Sequence, residues 1–172
     1  RSTLGWGRRN SSVWSDGEKN CRGSLLIDMK QAPHLPSLRL GKPYCSLNQS
    51  EVLDYRDGSV RATLSQVNPG VIRRDLKEVR QARAALQKFS TAELLEISRQ
   101  AGEFFLHEEL PVGVAGELQS PQEYLETLSS TSGLPHIMVR RNMEKIHHAL
   151  THMDTILNGL TRGLDVEVLD RG

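Results

Sequence analysis

The chain has 172 residues, a mass of 19.3 kDa and a formal net charge of +1, from 22 Lys and Arg against 21 Asp and Glu. That is room for one domain with its own core and too little for two ordinary ones, and the near-zero charge balance leaves no electrostatic footprint for nucleic acid. No apolar run approaches the roughly 18 residues of a membrane span, and two cysteines, Cys21 and Cys45, build neither a disulfide framework nor a four-cysteine zinc site, so composition predicts a reduced, cytoplasmic protein.

Residues 1–28 are rich in Ser, Gly, Asn and Arg and carry no apolar period; they hold Trp6, Trp14 and Cys21. Leu25-Leu26-Ile27 is too short and too late for the apolar stretch of about 7–15 residues in a secretory signal. The segment reads as an extension, either a disordered arm or translated leader upstream of a start at Met29.

Residues 33–67 carry β signals. Leu38-Arg39-Leu40 alternates and is punctuated by Gly41-Lys42-Pro43. Val52-Leu53-Asp54-Tyr55 and Val60-Arg61-Ala62-Thr63-Leu64 flank Asp57-Gly58, a hairpin signal because glycine accepts positive φ.

Helical patterning follows. Asn68-Pro69-Gly70 offers a cap and a proline in the first turn, and Ile72, Leu76, Val79, Ala82 and Leu86 keep helical spacing. Ser90 and Glu93 form a capping-box pair ahead of the face Leu94, Ile97, Ala101, Phe104 and Phe105, with Pro111 as the stop; Ser120 and Glu123 repeat the signature ahead of Tyr124, Leu125 and Leu128. Met143, Ile146, Leu150, Met153 and Leu157 form a narrow stripe spaced 3, 4, 3, 4, and Asn158-Gly159 supplies a stop. Asp165 to Asp170 alternates apolar and polar, which predicts a terminal strand that needs a sheet neighbour. The expected fold class is α+β and helix-rich: an N-terminal β-hairpin, about four helices and a terminal strand.

Candidate chemistry is sparse. Glu144, His148 and His152 share one face of the last helix at i, i+4, i+8, a spacing that can serve Zn²⁺, and His147 lies about a quarter-turn away. The motif lacks the Glu beside the first His that metalloproteases use, and solvated histidines beside a carboxylate are the commoner use of such a pattern. Cys45, with Lys42 as its one nearby cation, lacks the setting of a nucleophile. Arg73-Arg74 and Arg140-Arg141 read as basic pairs at helix starts, opposing the helix dipole, and with Arg162 they are phosphate-patch candidates, although ion pairs or solvated faces fit the charge balance better. Gly159-Leu160-Thr161-Arg162-Gly163 lacks the following helix of a phosphate loop.

From about Leu38 to Asp170 the sequence resembles the N-terminal part of the aldehyde dehydrogenase superfamily, closest to bacterial members near the acyl-CoA reductase branch. The stretches that carry the likeness are Leu40-Gly41-Lys42-Pro43-Tyr44, Asp57-Gly58, residues 65–76 (Ser-Gln-Val-Asn-Pro-Gly-Val-Ile-Arg-Arg-Asp-Leu), residues 80–86, residues 132–143 (Ser-Gly-Leu-Pro-His-Ile-Met-Val-Arg-Arg-Asn-Met) and Gly159 to Asp165. None is a catalytic motif. The resemblance implies that residues 29–172 are an incomplete part of an α/β dinucleotide-binding domain, cut at its C-terminal end. The whole enzyme would use NAD or NADP and would be a homo-oligomer.

In that family a Cys thiolate attacks the carbonyl carbon, an Asn amide helps hold the oxyanion, a Glu handles protons and the nicotinamide exchanges hydride. The Asn would follow soon after Gly172 and the Cys and Glu well beyond it. No catalytic, cofactor-binding or metal residue therefore transfers to this chain, and no cofactor is expected on it alone. Its partner would be the remainder of the enzyme, with no nucleic acid and no membrane, and by itself it would be inactive and poorly folded. The alternative is a small helical interaction protein that binds a partner through the Met143–Leu157 stripe.

Overall fold

The computed structural model describes residues 32–171; the readings made for residues 1–28, Cys21 included, lie outside them. The first elements are short strands, β1 (His34–Leu35), β2 (Ser37–Arg39), β3 (Lys42–Tyr44), β4 (Gln49–Leu53) and β5 (Val60–Ser65). β5 is central to a three-stranded sheet, parallel to β1 and antiparallel to β4, with β2 and β3 forming a separate antiparallel pair.

The β4–β5 hairpin is the one that Asp57-Gly58 predicts. Gly58 has φ +72°, and Ser59 N–H donates to Asp57 Oδ1 at 2.9 Å. At its base Asp54 is almost fully buried. Its carboxylate accepts from Arg56 Nη2 at 2.8 Å, Arg61 Nη2 at 2.7 Å and the Arg56 backbone N–H at 3.0 Å. These donors, Arg56 above all, hold the carboxyl well below the usual carboxylate range. A buried charge needs such partners. The next backbone N–H, of Tyr55, donates to Ser130 O at 2.9 Å and anchors the hairpin to the helical part.

The β2–β3 turn is tighter than its composition suggests. Arg39 pairs with Lys42, so Leu40-Gly41 is a two-residue loop with both residues at positive φ, +50° and +78°. That is the backbone of a type I′ turn, for which Asn-Gly is the favoured pair.

The helical part comprises α1 (Pro69–Asp75), α2 (Val79–Leu86), α3 (Thr91–His107), α4 (Pro121–Ser132), α5 (His136–Thr151) and α6 (Met153–Leu160); Leu110–Val112 (β6) and Glu117–Gln119 (β7) form a small hairpin between α3 and α4. The caps fall where the sequence places them. Asn68 accepts from Val71 N–H at 3.0 Å, and Ser90–Glu93 and Ser120–Glu123 are complete capping boxes. Two helices predicted as continuous are broken. A 3₁₀ turn at Leu76–Glu78 separates α1 from α2, and His152, at φ −117° and ψ 28°, separates α5 from α6.

The core sits where α3, α4 and α5 meet. Leu125, Val139 and Met143 are buried, with Phe105, Leu106, Tyr124 and Leu128 packed around them. Phe105 and Tyr124 meet edge to face at 5.5 Å. The chain is thus α+β, as expected. The terminal strand is not formed: Val166–Arg171 is a 3₁₀ helix. Asp165 begins it by accepting from Glu167 N–H at 3.0 Å, and Asp170 accepts from Thr91 N–H at 2.7 Å at the start of α3. The Asp165 side chain serves the segment's backbone locally, and the Asp170 side chain ties the segment to the start of α3.

Candidate functional site

His147 and His148 of α5 and His152 at the break after it fall onto two faces. Glu144, His148 and His152 line one side of an open cleft with Arg141, Lys145 and Ile156. The His148 and His152 rings lie 4.1 Å apart. His152 Nδ1 is 3.0 Å from His148 O, the acceptor it meets at the helix break. Glu144 does not converge with them: among the described residues the one three-ligand group is a different set, Glu103, His107 and His147.

That set is built by two helices. Glu103 and His107 are four apart in the last turns of α3, so their side chains share a face. His147 comes from α5. Its Nε2 lies 3.2 Å from Glu103 Oε1, His107 Nε2 lies 3.7 Å from Glu103 Oε2, and the two imidazole rings cross edge to face at 5.5 Å. Side-chain exposure is 24% for His147, 46% for Glu103 and 57% for His107, so the group opens to solvent. Gly102 brings the helices this close. A Cβ there would lie 3.0 Å from Thr151 Cγ2, 3.1 Å from Leu150 Cβ and 3.4 Å from His147 O. Helical spacing alone puts His147 off the Glu144–His148–His152 face. The i, i+4 pair Glu103–His107 was visible, but its third member depends on a helix crossing that no local pattern encodes.

The other candidates resolve differently. Cys45 is disulfide-bonded, which corrects the expectation of reduced thiols there and removes it as a nucleophile; the chain's other cysteine, Cys21, lies outside the described residues. Arg73 and Arg74 do not oppose a dipole: α1 is so short that they occupy its last turn, where positive charge is favoured. Arg140 and Arg141 sit in the second turn of α5. At Gly159 to Gly163 the backbone donors close the end of α6. Arg162 N–H reaches Gly159 O and Gly163 N–H reaches Asn158 O at 2.9 Å, a Schellman end with Arg162 at φ +56°. Those N–H groups are spent on the helix and cannot cradle a phosphate.

A second histidine pairing, outside the sequence candidates, is His34. Its ring nitrogens meet Thr63 Oγ1 at 2.8 Å and Ser65 Oγ at 2.9 Å, and Ser46 N–H also donates to Ser65 Oγ. No carboxylate completes a triad in those contacts, and the network pins β1 to β5.

The Met143–Leu157 stripe is turned mainly inward. Met143 is buried and Ile146, Leu150, Met153 and Leu157 are half-buried. The apolar side chains left in solvent lie elsewhere. Leu38 and Leu40 of the β2–β3 pair face Ile72, Leu76 and Val79 across a groove, and each of the five is about half exposed or more. Arg39 bridges the two sides of that groove through a bidentate pair with Asp75, at 2.6 and 2.8 Å.

Comparison with protein-family models, with curated proteins and with solved structures finds no significant match to this chain. Among the described residues no helix is long and apolar enough to cross a membrane.

Proposed function

We propose that the chain is the N-terminal part of an NAD(P)-dependent oxidoreductase of the aldehyde dehydrogenase type, a part that builds scaffold and holds none of the reacting groups. The observation that carries the reading is the resemblance over residues 38–170, in which hairpin, helices and the Gly159–Asp165 turn follow one another in the family's order. The exposed apolar groove between the β2–β3 pair and the α1–α2 segment supports it. Leu38, Leu40, Ile72, Leu76 and Val79 form a contiguous surface of the kind that a larger assembly covers. In this reading the remainder of the enzyme chain is the cover, and full-length copies assemble as a homo-oligomer.

The chemistry follows from what the chain lacks as well as from the family. A hydride transferase needs nucleophile and nicotinamide in one site. Cys45 offers no free thiol, and the family's thiolate, oxyanion amide and proton-handling carboxylate have no counterparts at matching positions. The 172-residue chain by itself is therefore expected to bind no NAD(P) and turn over no aldehyde.

The test is an assay of the endogenous gene product, purified whole, for NAD⁺- or NADP⁺-dependent oxidation of aldehydes and for NAD(P)H-dependent reduction of acyl-CoA thioesters. Turnover that is lost on thiol alkylation is the expected result. A purified, folded product with no turnover in either direction and no affinity for either nicotinamide would overturn the reading.

A further inference from the structure

We propose that Glu103, His107 and His147 form a binding site for a divalent transition-metal cation of the Zn²⁺ type, joining α3 to α5. Two imidazoles and one carboxylate are a donor set that suits Zn²⁺ and its near neighbours and does not suit Ca²⁺ or Mg²⁺, which want oxygen. The spacing fits. Bonds of about 2.0–2.1 Å to N and O in a tetrahedron place neighbouring donor atoms about 3.3 Å apart. Here the Glu103 carboxylate lies 3.2 Å from His147 Nε2 and 3.7 Å from His107 Nε2, and the three donor atoms all fall within 4.8 Å of one another. Small rotamer changes bring them onto one ion.

The backbone supports the placement. Two of the donors share one helix face at i, i+4, and the third is delivered by a close helix crossing at Gly102, where a Cβ would meet α5 at 3.0–3.1 Å. His107 is the last residue of α3, so the partial negative end of that helix lies beside the cation. The exposure of His107 leaves the remaining coordination position to solvent or to a ligand atom from outside. The site is independent of the oxidoreductase reading, whose chemistry involves none of these residues.

The experiment is a titration of the metal-free full chain with ZnCl₂ by calorimetry, repeated with Co²⁺, whose visible absorption reports the coordination geometry. One equivalent is expected, with a tetrahedral Co²⁺ spectrum and a thermal midpoint that rises with added Zn²⁺. His107→Asn and Glu103→Gln change exposed side chains and keep the fold; each is expected to weaken binding at least tenfold and to abolish the thermal shift. The His148→Asn/His152→Asn double variant tests the competing pair on the other face and is expected to bind as the parent does. No saturable binding, binding that persists in His107→Asn, or binding lost in the His148→Asn/His152→Asn variant would overturn the proposal. In the first of these outcomes the cluster is a polar contact between a glutamate and two histidines and nothing more.

Discussion

Gly102 and Thr151 meet at the tightest crossing between α3 and α5: a Cβ on Gly102 would lie 3.0 Å from Thr151 Cγ2, with Leu150 Cβ at 3.1 Å behind it. Leu150 Cβ is fixed to its backbone, so a side chain on Gly102 requires the two helices to part by at least a few tenths of an ångström. Gly102→Val is expected to cost about 1–3 kcal/mol through that displacement, although valine is the better helix former. Thermal unfolding followed by far-ultraviolet circular dichroism checks it. The same variant is expected to separate His147 from Glu103 and so to weaken Zn²⁺ binding.

The core is small, so each of its members matters. Leu125 is 2% exposed and clusters with Val139 and Met143 of α5, with Phe105 and Leu106 of α3 packed against the group. Leu125→Ala is expected to cost about 2–5 kcal/mol. The same truncation at Leu38, 72% exposed, is expected to leave unfolding almost unchanged. Comparing the two denaturant midpoints checks where the core lies.

Two backbone positions hold a non-glycine residue in the left-handed region, Leu40 at φ +50° and Arg162 at φ +56°. Leu40→Asn restores the preferred Asn-Gly turn, and Arg162→Gly the preferred helix end; each is expected to gain about 1 kcal/mol. Higher melting temperatures for both variants are the expected readout. Ser120→Ala, which opens the α4 capping box, is expected to lose about 1 kcal/mol in the same assay.

Acid sensitivity follows from the carboxylates. Arg56 holds the Asp54 carboxyl far below its ordinary value, Arg39 lowers that of Asp75, and Arg99 with Gln100 brings Glu96 down to about 2. A lowered folded-state pKa means that unfolding takes up protons. The stabilisation is complete above the unfolded values near pH 4 and is lost as pH falls through the folded ones. Asp54, with both arginines and no solvent exposure of its side chain, contributes most; the exposed Glu96 pair contributes little. Asp54→Asn is expected to lower stability at neutral pH and to flatten the decline between about pH 4 and pH 2. Unfolding midpoints measured across that range check the sign.

The parts legible in the sequence are those governed by neighbours in the chain. Asn68, Ser90 and Ser120 cap helices because their side chains reach N–H groups three residues away, and Asp57-Gly58 turns because Gly58 accepts positive φ. Alternation at Val166, Val168 and Leu169 reports a face and not a neighbour; with no strand beside it among the described residues, the segment is a 3₁₀ turn that Asp170 ties to the head of α3. Arg73 and Arg74 fall in a last turn and not a first one because the apolar period of residues 72–86 runs through a break at Leu76–Glu78 that spacing does not reveal. The Glu103–His107–His147 group was half visible, since i, i+4 spacing is local and a contact 44 residues apart is not.

The intact mass of the endogenous protein tests the oxidoreductase reading most directly. A species much heavier than 19.3 kDa, carrying these residues at its N-terminal end, is the predicted result. A product of 19.3 kDa as the sole cellular form would contradict it.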